Sequence, residues 1–140
     1  MNKFLLLITC CLPLRYLALT SPYGYRLHPI TGHVRFHSGI DLRARRDTVF
    51  AVMPGQINDV HYDPALGVYI ILDSGDLKVM FGHLSQVFVQ HGDSIAAGTP
   101  IAITGSSGRV TGEHLHFSVS YRKKHLNPLL FLNALMNNLN

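Results

Sequence analysis

The sequence predicts a single, mainly β domain, an antiparallel sandwich or barrel with a short C-terminal helix. Three observations support this: 140 residues suit one domain, 47% of them are hydrophobic, and short apolar segments alternate with turn signals. Charged residues make up only 14% of the chain, which argues against intrinsic disorder. A chain of this size can bury a core without disulfides or a structural metal.

Six segments rich in Val, Ile, Phe and Tyr are predicted to form strands. Turn signals such as Pro54-Gly55 and Gly92-Asp93 separate them. Strands spaced this closely, without long helical patterns between them, indicate an antiparallel sandwich or barrel. The predicted strands are Thr48–Met53, Gln56–His61, Val68–Leu72, Leu77–Phe81, Pro100–Thr104 and Leu115–Ser120.

The C-terminal segment has a helical pattern instead. Asn127 is a good helix cap, and Pro128 is tolerated in the first turn. Several leucines follow up to Met136, so a short helix is predicted there.

The first twenty residues have the layout of a secretory leader. Met1-Asn2-Lys3 is a short basic start, Phe4 to Leu14 is largely apolar, and Ala18 and Thr20 are small residues at the positions a signal peptidase reads. The apolar run is too short for a stable membrane span, which needs about 20 residues. We therefore predict a leader at residues 1–20 and no stable span after its removal; a buried N-terminal helix is the alternative.

Removal of this leader would change the cysteine content and the charge. Cys10 and Cys11 would both be lost, which excludes a disulfide, a thiol nucleophile and a cysteine-bound metal in the mature domain. Lipidation of Cys10 is a minor alternative. Loss of Lys3 and Arg15 would leave 10 basic and 8 acidic residues, a balance that does not indicate nucleic acid as a partner.

Two groups of residues stand out among nine histidines. One is His37-Ser-Gly-Ile-Asp41, and the other is His114-Leu-His116 in a predicted strand. Residues two apart on a strand share a face, so His114 and His116 point the same way while Leu115 points into the core. This arrangement suits either two metal ligands or one ligand and one acid/base group.

The two groups together can supply the donors of a metal site. A catalytic zinc accepts imidazole and carboxylate ligands, and takes three of them together with a water. Each spacing is weak evidence alone, because His-x-His on a strand is more often a surface pair. The helical His-Glu-x-x-His signature is absent, and Glu113 is the only glutamate.

Four motifs, in the same order along the chain, resemble those of the lysostaphin/LytM-like zinc endopeptidases. The similarity runs from Ser21 to about Leu130. It assigns residues 21–140 to one peptidase domain of the lysostaphin type. The motifs are Ser21-Pro-Tyr-Gly-Tyr-Arg-Leu-His-Pro-Ile-Thr-Gly with His37-Ser-Gly-Ile-Asp41, Phe81-Gly-His83-Leu84, Val89-x-x-Gly-Asp-x-Ile-x-x-Gly-Thr-Pro-Ile101, and Thr104-Gly-Ser-Ser-Gly-x-x-x-Gly-Glu-His114-Leu-His116-Phe117.

The resemblance implies a role for each of five residues. His37, Asp41 and His116 match the family's zinc ligands, at the floor of an active-site groove. His83 and His114 match its catalytic histidines, and either of them can be the base or the oxyanion stabiliser. The implied reaction is hydrolysis of amide bonds in peptidoglycan stem peptides or cross-bridges, which fits export to the periplasm, the cell envelope or the medium.

A different class of function is the main rival. Some family members have lost ligands and serve as non-enzymatic envelope scaffolds or as activators of cell-wall hydrolases. The presence of all five residues here favours the enzyme. Besides the peptidoglycan substrate, the partner considered is a component of the envelope machinery.

The roles of the arginines stay open in the sequence. Arg26 either orients the opening loop, meets a substrate carboxylate or forms a structural ion pair, and the ion pair is favoured. Arg43, Arg45 and Arg46 cluster, which is more typical of a solvated loop than of a binding stripe. Attraction of an anionic polymer is the alternative for these three.

Overall fold

The fold is an antiparallel β domain with one helix, in a computed structural model that describes residues 11–27 and 31–137. All strand pairs in these ranges are antiparallel, which confirms the predicted fold class. The strands are β1 (Leu19–Ser21), β2 (Gly24–Leu27), β3 (Val34–His37), β4 (Ile40–Arg43), β5 (Thr48–Phe50), β6 (Gly55–Asp63), β7 (Gly67–Ser74), β8 (Leu77–Val87), β9 (Ser94–Ile95), β10 (Pro100–Thr104), β11 (His114–Tyr121) and β12 (Lys124–Leu126), and the helix is α1 (Pro128–Asn137).

Ten of the described strands form one sheet, and β2 and β3 form a separate hairpin. The main path of the sheet runs β1-β4-β11-β8-β7-β6-β9. Strand β10 connects β5 to β8, and β12 pairs with the end of β11. Four of the five predicted site residues therefore lie on consecutive strands of this sheet, β4, β11 and β8, and His37 ends β3 of the hairpin.

The core explains how β11 presents its histidines. Leu115, Phe117 and Val119 are fully buried on one face of this strand. The Phe117 ring packs against Phe81 of β8, with ring centroids 5.5 Å apart. Burial of each such side chain stabilises the fold by about 1.5–3 kcal/mol. A slip of one residue would expose this row, so the packing sets which face of β11 carries His114 and His116.

Strand β8 changes its neighbour in the middle. Its first half pairs with β11 as far as Gly82, which lies opposite His116. Its second half pairs with β10, where Leu84 lies opposite Thr104. His83 lies between the two halves with a positive φ of 61°, a conformation that is uncommon for a non-glycine residue. The change of partner thus places the His83 side chain beside β11.

The observed strands differ in length from the predicted ones. The segment Thr48–Met53 is a strand only to Phe50, whereas the segment Leu77–Phe81 continues as β8 to Val87. The continuation exists because β10 supplies backbone partners for the second half of β8. Strands β1 to β4 were not predicted, since they are short and lack a regular apolar alternation.

The predicted C-terminal helix is confirmed. The Asn127 side chain accepts a hydrogen bond from the Leu129 backbone N–H at 3.0 Å, as a helix cap does. Leu132 docks the helix on the core with 1% of its surface exposed. Among the described residues, no helix has the length and apolar content that a membrane crossing requires.

The segment before β1 packs against the domain from residue 11 onward. The Cys11 N–H donates to the Val52 carbonyl at 2.9 Å, and the Phe50 N–H donates to the Pro13 carbonyl at 2.9 Å. Leu14 is in the core, with 2% of its surface exposed. Residues 1–10, including Cys10 and most of the apolar run of the predicted leader, lie outside the described residues, and the leader stays a prediction.

Candidate metal centre

Three of the predicted site residues meet at one point of the sheet. Asp41 of β4 lies directly opposite His116 of β11. His37 ends β3, and the short Ser38-Gly39 turn connects it to β4. One donor atom from each of His37, Asp41 and His116 lies within 4.8 Å of the other two. The structure therefore brings together the three side chains that the sequence motifs single out as ligands.

Hydrogen bonds orient the donor atoms of this cluster. His37 Nε2 is 3.4 Å from Asp41 Oδ1, and His116 Nδ1 is 3.2 Å from the same oxygen. The other nitrogen of His37, Nδ1, donates to the Pro22 carbonyl at 2.9 Å. This bond holds the ring so that Nε2 points into the cluster: Nε2 donates to Asp41 when the imidazole is protonated and offers a lone pair to a metal ion when it is neutral.

Gly39 gives the His116 ring its place. A Cβ atom at Gly39 would lie 2.9 Å from His116 Cε1 and 2.6 Å from the Phe117 carbonyl oxygen. Real Cβ atoms essentially never approach backbone so closely. Any larger residue in the turn between His37 and Asp41 would therefore displace β11 or the His116 ring.

His83 and His114 lie beside the cluster. Their ring centroids are 4.7 Å apart, and the His83 ring is 6.1 Å from that of His116. His83 Nδ1 donates to the Ser107 carbonyl at 2.8 Å, and His114 Nδ1 donates to the Gly112 carbonyl at 2.9 Å. Both rings thus keep Nε2 as the acceptor atom. The shared face predicted for His114 and His116 is confirmed.

Burial and charge set the protonation states in this cluster. Burial opposes ionisation of Asp41, but hydrogen bonds from His116 and His37 outweigh it and hold the pKa of the carboxyl well below its usual range. The hydrogen bond to Asp41 raises the pKa of His37. Burial lowers the pKa of His83, so this imidazole stays neutral to more acidic pH than a free one.

The donor set and its surroundings fit a metal ion. Two imidazole nitrogens and one carboxylate oxygen are a ligand set that zinc accepts, and three protein ligands leave a position open for chemistry. His37 and His116 are each 9% exposed, so the cluster is partly shielded yet open to the groove. The three side chains His37, Asp41 and His116 therefore form a site that is compatible with a metal ion.

A groove of about 670 Å³ gives access to the cluster. The five predicted site residues line it together with Ala65, Val110 and Thr111. Three arginines, Arg26, Arg35 and Arg109, line it as well. The structural ion pair favoured for Arg26 is wrong: among the described residues, Arg26 has no acidic partner and donates to the Ser21 hydroxyl.

Several contacts at the site have no clear signal in the sequence. Ser107 fixes the His83 ring through its carbonyl, and its hydroxyl donates to the Leu84 carbonyl at 2.7 Å. Glu113 accepts a hydrogen bond from the buried Thr104 hydroxyl at 3.0 Å, just before His114.

Comparison with known proteins places this architecture in a family. The sequence model of peptidase family M23 matches residues 35–128. The DD-carboxypeptidase/endopeptidase Mpg of Neisseria meningitidis serogroup B is 35% identical over 119 residues, which cover 84% of this chain and 27% of that protein. The chain spans about a quarter of the length of the curated relatives it matches.

Solved structures with the same fold include two peptidases. A zinc-containing peptidase from Vibrio cholerae aligns with a TM-score of 0.80 and 30% identity, over 86% of this chain and 39% of that one. The catalytic domain of the antimicrobial peptidase lysostaphin from Staphylococcus simulans aligns with a TM-score of 0.74 and 28% identity, over 84% of this chain and 92% of that one.

Proposed function

Because this chain belongs to peptidase family M23, we propose that it is a zinc-dependent endopeptidase that hydrolyses amide bonds in peptidoglycan stem peptides or cross-bridges. His37, Asp41 and His116 are the proposed zinc ligands. His83 and His114 are the proposed catalytic residues. The observation that carries this proposal is the convergence of three donor atoms within 4.8 Å, with two further imidazoles beside them.

The two imidazoles beside the cluster are suited to proton transfer. A bound zinc ion supplies Lewis-acid chemistry, polarising a carbonyl and lowering the pKa of water. Since Nδ1 of His83 and of His114 is held by a backbone carbonyl, each Nε2 can take a proton or, once protonated, donate a hydrogen bond; His114 Nε2 lies 3.5 Å from Asp41 Oδ1. One imidazole removes the proton of the attacking water, and the other stabilises the charge that develops on the carbonyl oxygen.

Peptidoglycan is proposed as the substrate on the strength of the relatives. Mpg and the Vibrio cholerae protein ShyB are named for DD-endopeptidase activity, ShyB on peptidoglycan. Action on this polymer requires export, so we propose that the protein works in the periplasm, the envelope or the medium. A partner in the envelope machinery belongs to the same proposal.

Digestion of purified peptidoglycan tests the proposal. The zinc-loaded protein should release new amine and carboxyl termini from cross-linked peptide, and removal of the metal by a chelator should stop this release. Identification of the termini by mass spectrometry gives the bond that is cut. His125→Ala is the matched control for histidine variants, because His125 is exposed on β12, away from the groove. Zinc-loaded protein that releases no termini from peptidoglycan would refute the proposal.

A further inference from the structure

The groove beside the metal centre is strongly basic. Arg26, Arg35 and Arg109 line it, and Asp41 is the one acidic residue among its described lining. Asp41 already belongs to the proposed metal site. The part of the groove that a substrate would occupy is therefore positively charged at three places.

The strand register directs two of these arginines into the groove. In the β2–β3 hairpin, Arg26 lies opposite Arg35, and Gly24 lies opposite His37. Side chains two residues apart share a face, so the arginine pair lies on the face of His37. The spacing from Arg35 to His37 is about 7 Å along the strand. The opposite face of the hairpin carries Tyr25, Leu27, Val34 and Phe36.

Within the described part of the chain, the opposed arginines have no acidic partner. Like charges directly opposite on two strands destabilise the pair, so their juxtaposition calls for a counterion. All eight aspartates and glutamates of the chain lie within the described ranges. Among the described residues, the ion pairs of Lys and Arg are Lys78 with Asp73 and Arg122 with Asp76, and none includes a groove arginine.

The third arginine comes from a different segment, the loop between β10 and β11. The Arg109 backbone N–H donates to the Ala65 carbonyl at 3.1 Å, which holds the β10–β11 loop against the β6–β7 turn. Ala65 lines the groove next to Arg109. This hydrogen bond fixes the backbone of Arg109 at the edge of the groove.

We propose that Arg26, Arg35 and Arg109 form a subsite for a carboxylate of the substrate peptide. The subsite lies within one or two residues of the cleaved amide, because the arginine pair is two strand positions from His37. A guanidinium binds a carboxylate through two parallel hydrogen bonds. This inference rests on the proposed peptidase function and narrows its substrate class. The preferred substrate is a peptide with a free carboxylate, not a neutral bridge such as oligoglycine.

A pair of matched substrates tests the subsite. Cross-linked peptidoglycan peptides with free side carboxylates are compared with the same peptides in which these groups are amidated. The zinc-loaded wild type should cleave the free form with a kcat/KM at least about tenfold higher, the effect of about 1.4 kcal/mol in binding. Arg35→Gln and Arg109→Gln should each lose most of this preference. Arg122→Gln is the control, since Arg122 pairs with Asp76 on an exposed turn.

Binding without turnover provides a second readout. Metal-depleted protein should bind a fluorescently labelled free-carboxylate peptide more tightly than the amidated peptide, and Arg109→Gln should abolish the difference. Equal cleavage and equal binding of the two peptides would overturn the subsite while leaving the peptidase function intact. Cleavage of neither peptide, with the binding preference retained, would refute the proposed function and leave the subsite standing. A preference unchanged in both arginine variants would also overturn the subsite.

Discussion

Gly39 and the His116 ring are in direct contact: a Cβ on Gly39 would lie 2.9 Å from His116 Cε1. The turn that joins two candidate ligands therefore also sets the position of the third. The ring of His116 fits only because position 39 carries no side chain. In this way a single residue links the spacing of His37 and Asp41 to the placement of β11.

Gly39→Ala should weaken metal binding while the rest of the sheet folds. The added methyl forces the His116 ring or the Phe117 carbonyl to move, and misplaced ligand geometry of this kind lowers metal affinity by about 10- to 100-fold. Competition with a zinc-binding dye measures the effect. Gly112→Ala is the matched control, because a Cβ there meets nothing within 4 Å. Zinc affinity of Gly39→Ala equal to the wild type would show that the contact has no such role.

Alanine at His37, Asp41 or His116 should remove zinc and activity together. Each change leaves two ligands, which are too few for a stable site of this kind. Metal analysis of the purified variants, with His125→Ala alongside, measures the loss. Full zinc occupancy in His116→Ala would mean that the wrong imidazole of the His114 and His116 pair has been assigned to the metal.

Alanine at His83 or His114 should leave zinc bound and the fold intact but slow the reaction. The turnover rate should fall by about 100-fold or more, the usual scale for a lost proton carrier or oxyanion donor. Zinc content and peptidoglycan solubilisation are measured on the same preparations. The division of roles fails if His114→Ala loses its zinc, or if His83→Ala cleaves as fast as the wild type.

The Asp63 carboxylate should contribute stability that depends on pH. It accepts hydrogen bonds from the backbone N–H groups of Leu66 and Ala65, which lower its pKa. Its contribution is therefore present above the unfolded pKa of about 3.9 and is lost as the pH falls through the folded value. Urea unfolding should show Asp63→Ala less stable than the wild type at about pH 7, with the difference shrinking towards about pH 3. A difference that does not change with pH would contradict this assignment.

N-terminal sequencing of the exported protein tests the predicted leader. Cleavage near Ser21 is the expected result, whereas a retained Met1 or a lipid on Cys10 would contradict it. The structure adds a measurable consequence, because such cleavage removes Leu14 from the core. In the uncleaved chain, Leu14→Ala should lower the free energy of unfolding by about 2–5 kcal/mol, the usual cost of a cavity at a buried leucine.

Local patterns were sufficient to predict much of this fold. Apolar segments such as Val68–Leu72 and Pro100–Thr104 became strands, and the Asn127 cap started the helix where expected. The five candidate site residues were singled out by their spacing and by their resemblance to known motifs. Strands β1 to β4 escaped prediction because they are only three or four residues long and lack a regular apolar alternation, so pairing with other strands keeps them extended.

Contacts between segments far apart in sequence could not be predicted. The Ser107 carbonyl meets His83 across 24 residues, and Gly39 meets His116 across the β4–β11 pairing. Arg26 was expected to find an acid in the protein, but the register of the hairpin set it opposite Arg35 instead. Each of these contacts depends on which strands pair with one another. The residues of a single segment do not determine that pairing.

At His83, the backbone conformation lowers the stability of the fold, while the side chain is proposed to serve catalysis. A non-glycine residue at a φ of 61° costs about 1–2 kcal/mol that glycine would not incur. His83→Gly would relieve this backbone cost, but it would also remove a proposed catalytic imidazole and its hydrogen bond to the Ser107 carbonyl. Engineering of this scaffold for thermostability has to be screened on turnover at the same time.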